Sequence, residues 1–396
     1  MARLRTVSPG TGGYTRRRTG KGFTYWGANG RRITNEDTLE RIRGLVIPPA
    51  WKQVWIAAEE NAHIQATGVD DAGRTQYLYH PQWRADRDVE KFEKSISFGQ
   101  TLPSLRRRVT RDLRAGAQGH DDGAAGSRMA GTGRGTGGST AGPGEADGTG
   151  RRRALAAAVR LMDRGALRVG GKEYSGQLEA FGATTLQRRH VEVDGTEVHL
   201  AFRGKSGSEW DLTLQDEDLA EFFAGVPATP RTAPAVCYPV RSGRRKEWKT
   251  ISAEAVNEYL KEIAGLEFTA KDFRTWQGTM AAARSLARSH RAGATSPEAV
   301  KIAVRASAEL LHNTPTVARE SYIDPRVIDL FEKGRVMDLK RQPDRALLAL
   351  LTGVGGADAA DGAGGTDGAA GGGADGAANG RADGARGADA ADGVGG

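Results

Sequence analysis

The sequence predicts an α+β fold, a small antiparallel β-sheet lobe at the N-terminus followed by a larger, mainly helical lobe. Three observations predict it. Short extended runs separated by turn residues fill positions 21–85, helical patterns with capping residues dominate 86–350, and three Gly-rich stretches lack the apolar residues that a core requires.

In the first block, Phe23-Thr24-Tyr25-Trp26 and Arg31-Arg32-Ile33 flank Ala28-Asn29-Gly30. Asn-Gly between extended runs signals a hairpin, because both residues tolerate positive φ. Thr34 to Arg43 reads as a short helix ended by Gly44, and Ile47-Pro48-Pro49-Ala50 as extended chain, since proline disfavours helix in the residue before it. Val54 to Ala57, His63 to Gly68 and Thr75 to Tyr79 read as strands, with a turn at Asp71-Ala72-Gly73.

In the second block, Asp88 to Leu113 reads as helix broken near Pro103, and Arg151 to Arg164 as another helix. A β excursion follows: His190 to Val193, Val198 to Phe202 and Trp210 to Leu214, with turns at Asp194-Gly195 and Gly204-Lys205-Ser206-Gly207. Helices resume near Ala253. Ser296-Pro297, Thr314-Pro315 and Asp324-Pro325 each pair a capping residue with a proline suited to the first helical position, so two short helices bracket Tyr322. The low-complexity stretches read as disordered: a basic N-terminus over 1–20, an insert over 115–150 and a Gly/Ala/Asp tail over 351–396.

Across 396 residues, 57 Lys and Arg stand against 49 Asp and Glu, a formal charge of +8. The tail beyond Leu351 holds seven Asp against two Arg, so the remaining body is more basic than the whole. A basic body favours a polyanionic partner, most often nucleic acid. A single cysteine, Cys237, excludes disulfide scaffolds and Cys-rich zinc sites, and the scattered histidines show no metal-ligand spacing. The glycine pairs lack the phosphate-loop pattern, so neither a metal nor a nucleotide cofactor is expected. No apolar run approaches a membrane span and no apolar leader follows the basic N-terminus, which points to a soluble, cytoplasmic protein.

Phosphodiester transesterification without a metal needs a hydroxyl nucleophile, cations on the non-bridging oxygens and an acid for the leaving oxygen. Those residue types occur in four compact settings: Ala166-Leu167-Arg168-Val169-Gly170, Arg203-Gly204-Lys205-Ser206-Gly207, Lys271-Asp272-Phe273-Arg274-Thr275-Trp276, and His312-Asn313-Thr314-Pro315 followed by Arg319-Glu320-Ser321-Tyr322. Each alone has an ordinary structural reading. Arg168 could cap a helix, Lys205 could be a turn residue, Arg274 could pair with Asp272, and Tyr322 could sit in a core. The triplets Arg106-Arg107-Arg108 and Arg151-Arg152-Arg153 could grip phosphates or simply be solvated helix faces.

Taken in order, the series resembles the poxvirus-type and bacterial type IB DNA topoisomerases, from Lys21 to about Met337. That family runs Arg, Lys on a hairpin turn, Arg at a helix start, His or Asn, then Tyr. Ile47-Pro48-Pro49-Ala50-Trp51 with Val54-Trp55-Ile56, and Gly73-Arg74-Thr75-Gln76-Tyr77-Leu78-Tyr79, resemble its N-terminal signatures. The resemblance implies a C-shaped clamp closed by the two lobes on double-stranded DNA. It implies a monomer that works at the nucleoid and relaxes supercoils through a 3′-phosphotyrosyl intermediate, with neither metal nor ATP.

Tyr322 would be the nucleophile, Arg168 and Arg274 the clamp on the non-bridging oxygens, Lys205 the acid and Asn313 a further donor. Gln76, Tyr77, Tyr79 and Tyr174 would contact DNA. In better-known members a histidine fills the position nine residues before the tyrosine, which here is Asn313, with His312 one residue earlier. Register favours Asn313 for that role and leaves His312 as the alternative. A tyrosine recombinase would share the nucleophile and the arginines, but such enzymes usually carry a helical N-terminal domain rather than a β lobe.

Overall fold

The structure is a computed structural model and describes residues 3–115, 143–171, 179–242, 245–265, 268–294 and 297–353. The described residues pack as one compact unit. Its N-terminal part is an antiparallel sheet of β1 (Tyr14–Thr19), β2 (Gly22–Gly27), β3 (Lys52–Ile56), β4 (Ile64–Val69) and β5 (Thr75–Tyr79), in the order β2-β1-β3-β4-β5. Helix α1 (Glu36–Gly44) is capped by Asn35, whose side chain accepts from Thr38 N. Its Ile42 joins Val54, Ile56 and Ala66 in a small core, while Trp55, Ala57, Ala62 and Ile64 form a second cluster. Alternation along β3 thus buries both of its side-chain rows.

The N-terminal stretch corrects one expectation. Residues 14–19, read from composition as part of a disordered segment over 1–20, form β1, paired to both β2 and β3. Further back, Val7 N donates to His63 Nδ1 at 3.1 Å. The anchor of β1 is an arginine: the Arg16 guanidinium donates to Ile47 O, Pro48 O and Trp51 O at 3.1, 2.9 and 2.7 Å. It ties the strand to the double-proline loop, a tertiary contact that hydrophobic patterning does not register. The hairpin expected around Asn29-Gly30 is present in reduced form, with Gly27 N and Ile33 N bonded to Arg31 O and Tyr25 O.

The second part is mainly helical: α2 (Pro81–Arg114), α3 (Pro143–Gly165), α4 (Glu217–Ala224), α5 (Ala253–Ala264), α6 (Ala270–Arg291), α7 (Pro297–Leu311), α8 (Pro315–Ser321), α9 (Arg326–Glu332) and α10 (Pro343–Thr352). Into it are set the antiparallel sheet β6 (Val191–Asp194), β7 (Glu197–Arg203) and β8 (Glu209–Gln215), and the hairpin β9 (Cys237–Ser242) and β10 (Arg245–Thr250).

Here α2 runs through Pro103 instead of stopping at it. Phe98 and Leu102 before the proline, and Leu105 and Val109 after it, are buried in the same core, so packing on both sides outweighs the missing hydrogen bond. The expected insert over 115–150 is also too long: α3 begins at Pro143, and residues 116–142 lie outside those described.

Three of the six arginines in the two triplets are structural, and Arg107, Arg108 and Arg151 are exposed. Arg106 bridges Asp163 and Asp344, Arg152 bridges Asp112 and Glu262, and Arg153 pairs with Glu221. The same acids order the core. Asp112 accepts from Tyr259 Oη at 2.8 Å, and Asp344 from Trp276 Nε1 at 2.8 Å. The Trp276 ring lies against Gly99, where a Cβ would meet it at 2.3 Å. Among the described residues no helix is long and apolar enough to cross a membrane.

Candidate active site

Three backbone devices bring the predicted residues together. Arg168 follows α3 in a segment where Ala166 and Gly170 have φ of 55° and 92°. Ala183 N and Thr184 N clamp this segment by donating to Arg168 O and Val169 O, each at 2.8 Å. Gly182 is required there, because a Cβ would approach Arg168 O and Gly170 to 2.7 Å.

Lys205 opens the turn between β7 and β8, closed by Gly204 N donating to Ser208 O at 2.7 Å, with Ser206 at φ 63°. Tyr322 ends α8. Its carbonyl accepts from Thr279 Oγ1 at 3.0 Å, and a Cβ on the preceding Gly278 would come within 3.0 Å of Tyr322 Cβ. Helix α6 thus carries Arg274 and, one turn later, the seat for the tyrosine.

Arg274 is 3 % exposed. Its Nη1 donates to Ala166 O at 2.5 Å and its Nη2 to Leu311 O at 2.7 Å, with Cζ 5.2 Å from the Tyr322 ring centroid. Burial, and then the charge of Arg168, pull this guanidinium down to about 10, still protonated at neutral pH.

Arg168 Nη2 donates to Asn313 Oδ1 at 2.7 Å. That bond fixes which way the amide points, and leaves Asn313 Nδ2 buried with no partner. Tyr322 is 8 % exposed. Burial pushes its phenol up, but the charges of Arg274 and then Arg168, and their contacts with the phenol oxygen, outweigh that and leave it below the ordinary tyrosine value. Arg168, Lys205, Arg274 and Tyr322 line one cavity of about 340 Å³, together with Gly170 and Lys271.

Of the five predicted residues, four therefore share a cavity wall, and Asn313 stands behind Arg168. His312, the alternative in register, has a positive φ of 47° and lies flat on Trp210, ring centroids 3.9 Å apart and planes at 22°. Sequence reasoning quoted Lys271 in the Arg274 setting without giving it a role, and did not single out Trp210, Gly278 or Thr279. Lys271 had a signal, since it precedes Arg274 by one helical turn on the same face. The others act through shape and backbone contacts that no spacing reveals.

In the N-terminal sheet, Tyr77 and Tyr79 are 43 % and 37 % exposed on edge strand β5, their rings stacked with centroids 5.9 Å apart. Gln76 does not share their face. It is half-buried and donates to Asp70 Oδ2 at 2.8 Å. Tyr174 lies outside the described residues.

Two family comparisons match the two parts in turn. Residues 22–70 match the family described as bacterial DNA topoisomerase IB, N-terminal domain, and residues 146–342 match the eukaryotic DNA topoisomerase I catalytic core. The second match contains all five candidate residues. The chain belongs to the type IB DNA topoisomerases. One relative in this family is the DNA topoisomerase 1B of Acanthamoeba polyphaga mimivirus, 25 % identical over 349 residues, covering 86 % of this chain and 93 % of the relative. Within a type IB enzyme, the cavity is a wall of cations around a single phenol, a set suited to holding a phosphate and attacking it.

Proposed function

We propose that this chain relaxes supercoiled duplex DNA by nicking one strand through Tyr322, letting it rotate and resealing it. One observation carries the reading: the phenol of Tyr322 shares a cavity with Arg168, Arg274 and Lys205, and its charged neighbours there are cations.

The phenol oxygen attacks the scissile phosphorus as its proton passes to solvent. The bond to the 5′ oxygen breaks, Lys205 gives that oxygen a proton, and the 3′ end remains on Tyr322 as a phosphotyrosine. Arg168 and Arg274 hold the non-bridging oxygens, where charge builds in the transition state, with guanidinium forks suited to phosphate. Asn313 keeps Arg168 aimed and has its own amide N–H to offer. In the reverse step the 5′ hydroxyl attacks the phosphotyrosine, Lys205 takes the proton back, and the Tyr322 oxygen leaves and regains its proton from solvent. One phosphodiester is exchanged for another, so the cycle needs no ATP, and these five side chains run it without a metal.

Tyr77 and Tyr79 are proposed as a DNA-facing platform, Gln76 and Tyr174 as further contacts, and the segments 21–85 and 86–350 as two lobes closing on the duplex as a clamp. One monomer on one duplex suffices. Incubation of negatively supercoiled plasmid with the purified monomer in EDTA, without ATP, tests the reading. Relaxation to a ladder of topoisomers is expected, and strict dependence on added metal or nucleotide contradicts it.

A further inference from the structure

His312 closes helix α7 and does not itself line the cavity, although the charges of Arg274 and Arg168 reach it. Its φ of 47° is the left-handed close of a helix, with His312 N and Asn313 N donating back to Glu309 O and Ala308 O at 3.1 and 2.9 Å. Its neighbours on both sides hold the arginines: Leu311 O accepts from Arg274, and Asn313 Oδ1 from Arg168. Its ring reaches a different element, the sheet that carries Lys205. Trp210 is buried between two rings, with Phe202 stacked at 5.5 Å and 9° and His312 at 3.9 Å and 22°. Phe202 and Trp210 are cross-strand partners in β7 and β8, the strands that the Lys205 turn joins. The turn rests directly on the indole, since a Cβ on Gly204 would fall 2.5 Å from Trp210 Nε1.

We propose that His312 is a positioning residue that sets the Lys205 turn against the arginines and Tyr322. The stack Phe202, Trp210, His312 is the rigid link between the sheet that bears the proton donor and the segment that bears the phosphate clamp. Any tilt of the indole moves Gly204, and with it Lys205. Arg274 and Lys271 are carried by helix α6 and Arg168 by the segment after α3, so a tilt of the indole displaces Lys205 first. The inference rests on the proposed role of Lys205 as the acid, which the test includes as a control.

The test compares single-turnover cleavage of a normal DNA substrate with cleavage of the same substrate carrying a 5′-phosphorothiolate at the scissile bond. A sulfur leaving group needs no proton. Three variants are measured. His312→Gly removes the ring at a φ that glycine accepts without strain, His312→Phe restores a flat ring, and Lys205→Ala is the control.

His312→Gly is expected to slow normal cleavage about ten- to a hundredfold, less than the roughly 10²–10⁴ that a placed acid supplies in full, and to cleave the sulfur substrate near the wild-type rate. His312→Phe is expected to recover most of the loss on the normal substrate. Equal slowing of both substrates in His312→Gly, or none on either, overturns the inference while Lys205→Ala is still rescued by sulfur. Absence of sulfur rescue in Lys205→Ala overturns the assignment of the acid, and the inference with it.

Discussion

Arg274 and Lys205 face one cavity from two kinds of scaffold. Arg274 rises from a 22-residue helix, is 3 % exposed, and has both terminal nitrogens committed to carbonyls of two other segments. Lys205 stands exposed on a turn between two strands, beside a residue in the left-handed region. A guanidinium keeps its proton at any ordinary pH, whereas an ammonium taken out of water tends to lose it. On the proposed mechanism, the charge that must stay fixed is built into the core, and the group that would hand over a proton is kept near solvent. Preorganisation of the first kind stabilises developing charge without rearrangement at the moment of reaction.

The largest expected effects separate these two residues. Arg274→Ala should slow cleavage by about 10²–10³, the scale for losing one oxyanion donor. It should also lower the thermal midpoint, because two buried carbonyls lose their partner at about 1–3 kcal/mol each. Arg274→Lys should not rescue it, since one ammonium cannot reproduce the planar fork. Lys205→Ala should slow cleavage by roughly 10²–10⁴ with the midpoint unmoved. Single-turnover kinetics beside thermal melts check this. A drop in midpoint for Lys205→Ala as large as that for Arg274→Ala would dissolve the contrast.

Arg274 also shows what the sequence could and could not tell. Its place in Lys271-Asp272-Phe273-Arg274 marked it as a candidate, and the β7–β8 strands around Lys205 followed from alternation and turn residues. The two short helices around Tyr322 followed from the Pro and cap signals, and the three later strands of the N-terminal sheet from their patterns. Contacts made by polar side chains over long sequence distances were illegible. Arg16 anchors β1 through three carbonyls, and α2 survives Pro103 because of the core on both sides. The reversal of Gln76 away from Tyr77 and Tyr79 follows from strand parity, which the sequence did contain. The Trp210–His312 stack joins residues 102 positions apart and leaves no local trace.

The next effect sharpens the arginine side alone. Asn313→Ala removes the acceptor for Arg168, and hydrogen bonds to charged groups contribute about 1.5–3 kcal/mol, so cleavage should slow roughly ten- to a hundredfold. Duplex binding, measured by gel shift, should change little, because it is spread over many phosphate contacts. Near-wild-type cleavage would mean that Arg168 holds its position without the amide.

A smaller effect lies in pH dependence. Burial raises the Tyr322 phenol, but Arg274 and Arg168 bring it below its ordinary value. Cleavage should therefore rise with pH and level off below the ordinary tyrosine value of about 10, and Arg168→Ala should move that point upward. Stability follows the same sign. A phenol depressed in the folded state adds stability above its unfolded pKa, and loses it as pH falls through the folded one. The difference in midpoint between wild type and Tyr322→Phe should accordingly move in favour of wild type as pH rises toward about 10. A flat difference over that range would argue against the cationic setting of the phenol.

The smallest effect is expected farthest from the contrast. Replacing residues 116–142, whose composition is poor in core-forming residues, with a short Gly-Ser linker should change relaxation by less than about threefold, since halving a connection's length alters closure by about 0.6 kcal/mol. Loss of a cooperative thermal transition in that variant would show that the segment packs.

The central claim is that Tyr322 becomes the covalent carrier of the DNA end. The enzyme trapped on a suicide duplex, digested and analysed by mass spectrometry, should yield a nucleotide joined through its 3′ phosphate to the peptide containing Tyr322. Tyr322→Phe should bind the same duplex and yield no adduct. An adduct mapped to another residue, or one that persists in Tyr322→Phe, would contradict the account.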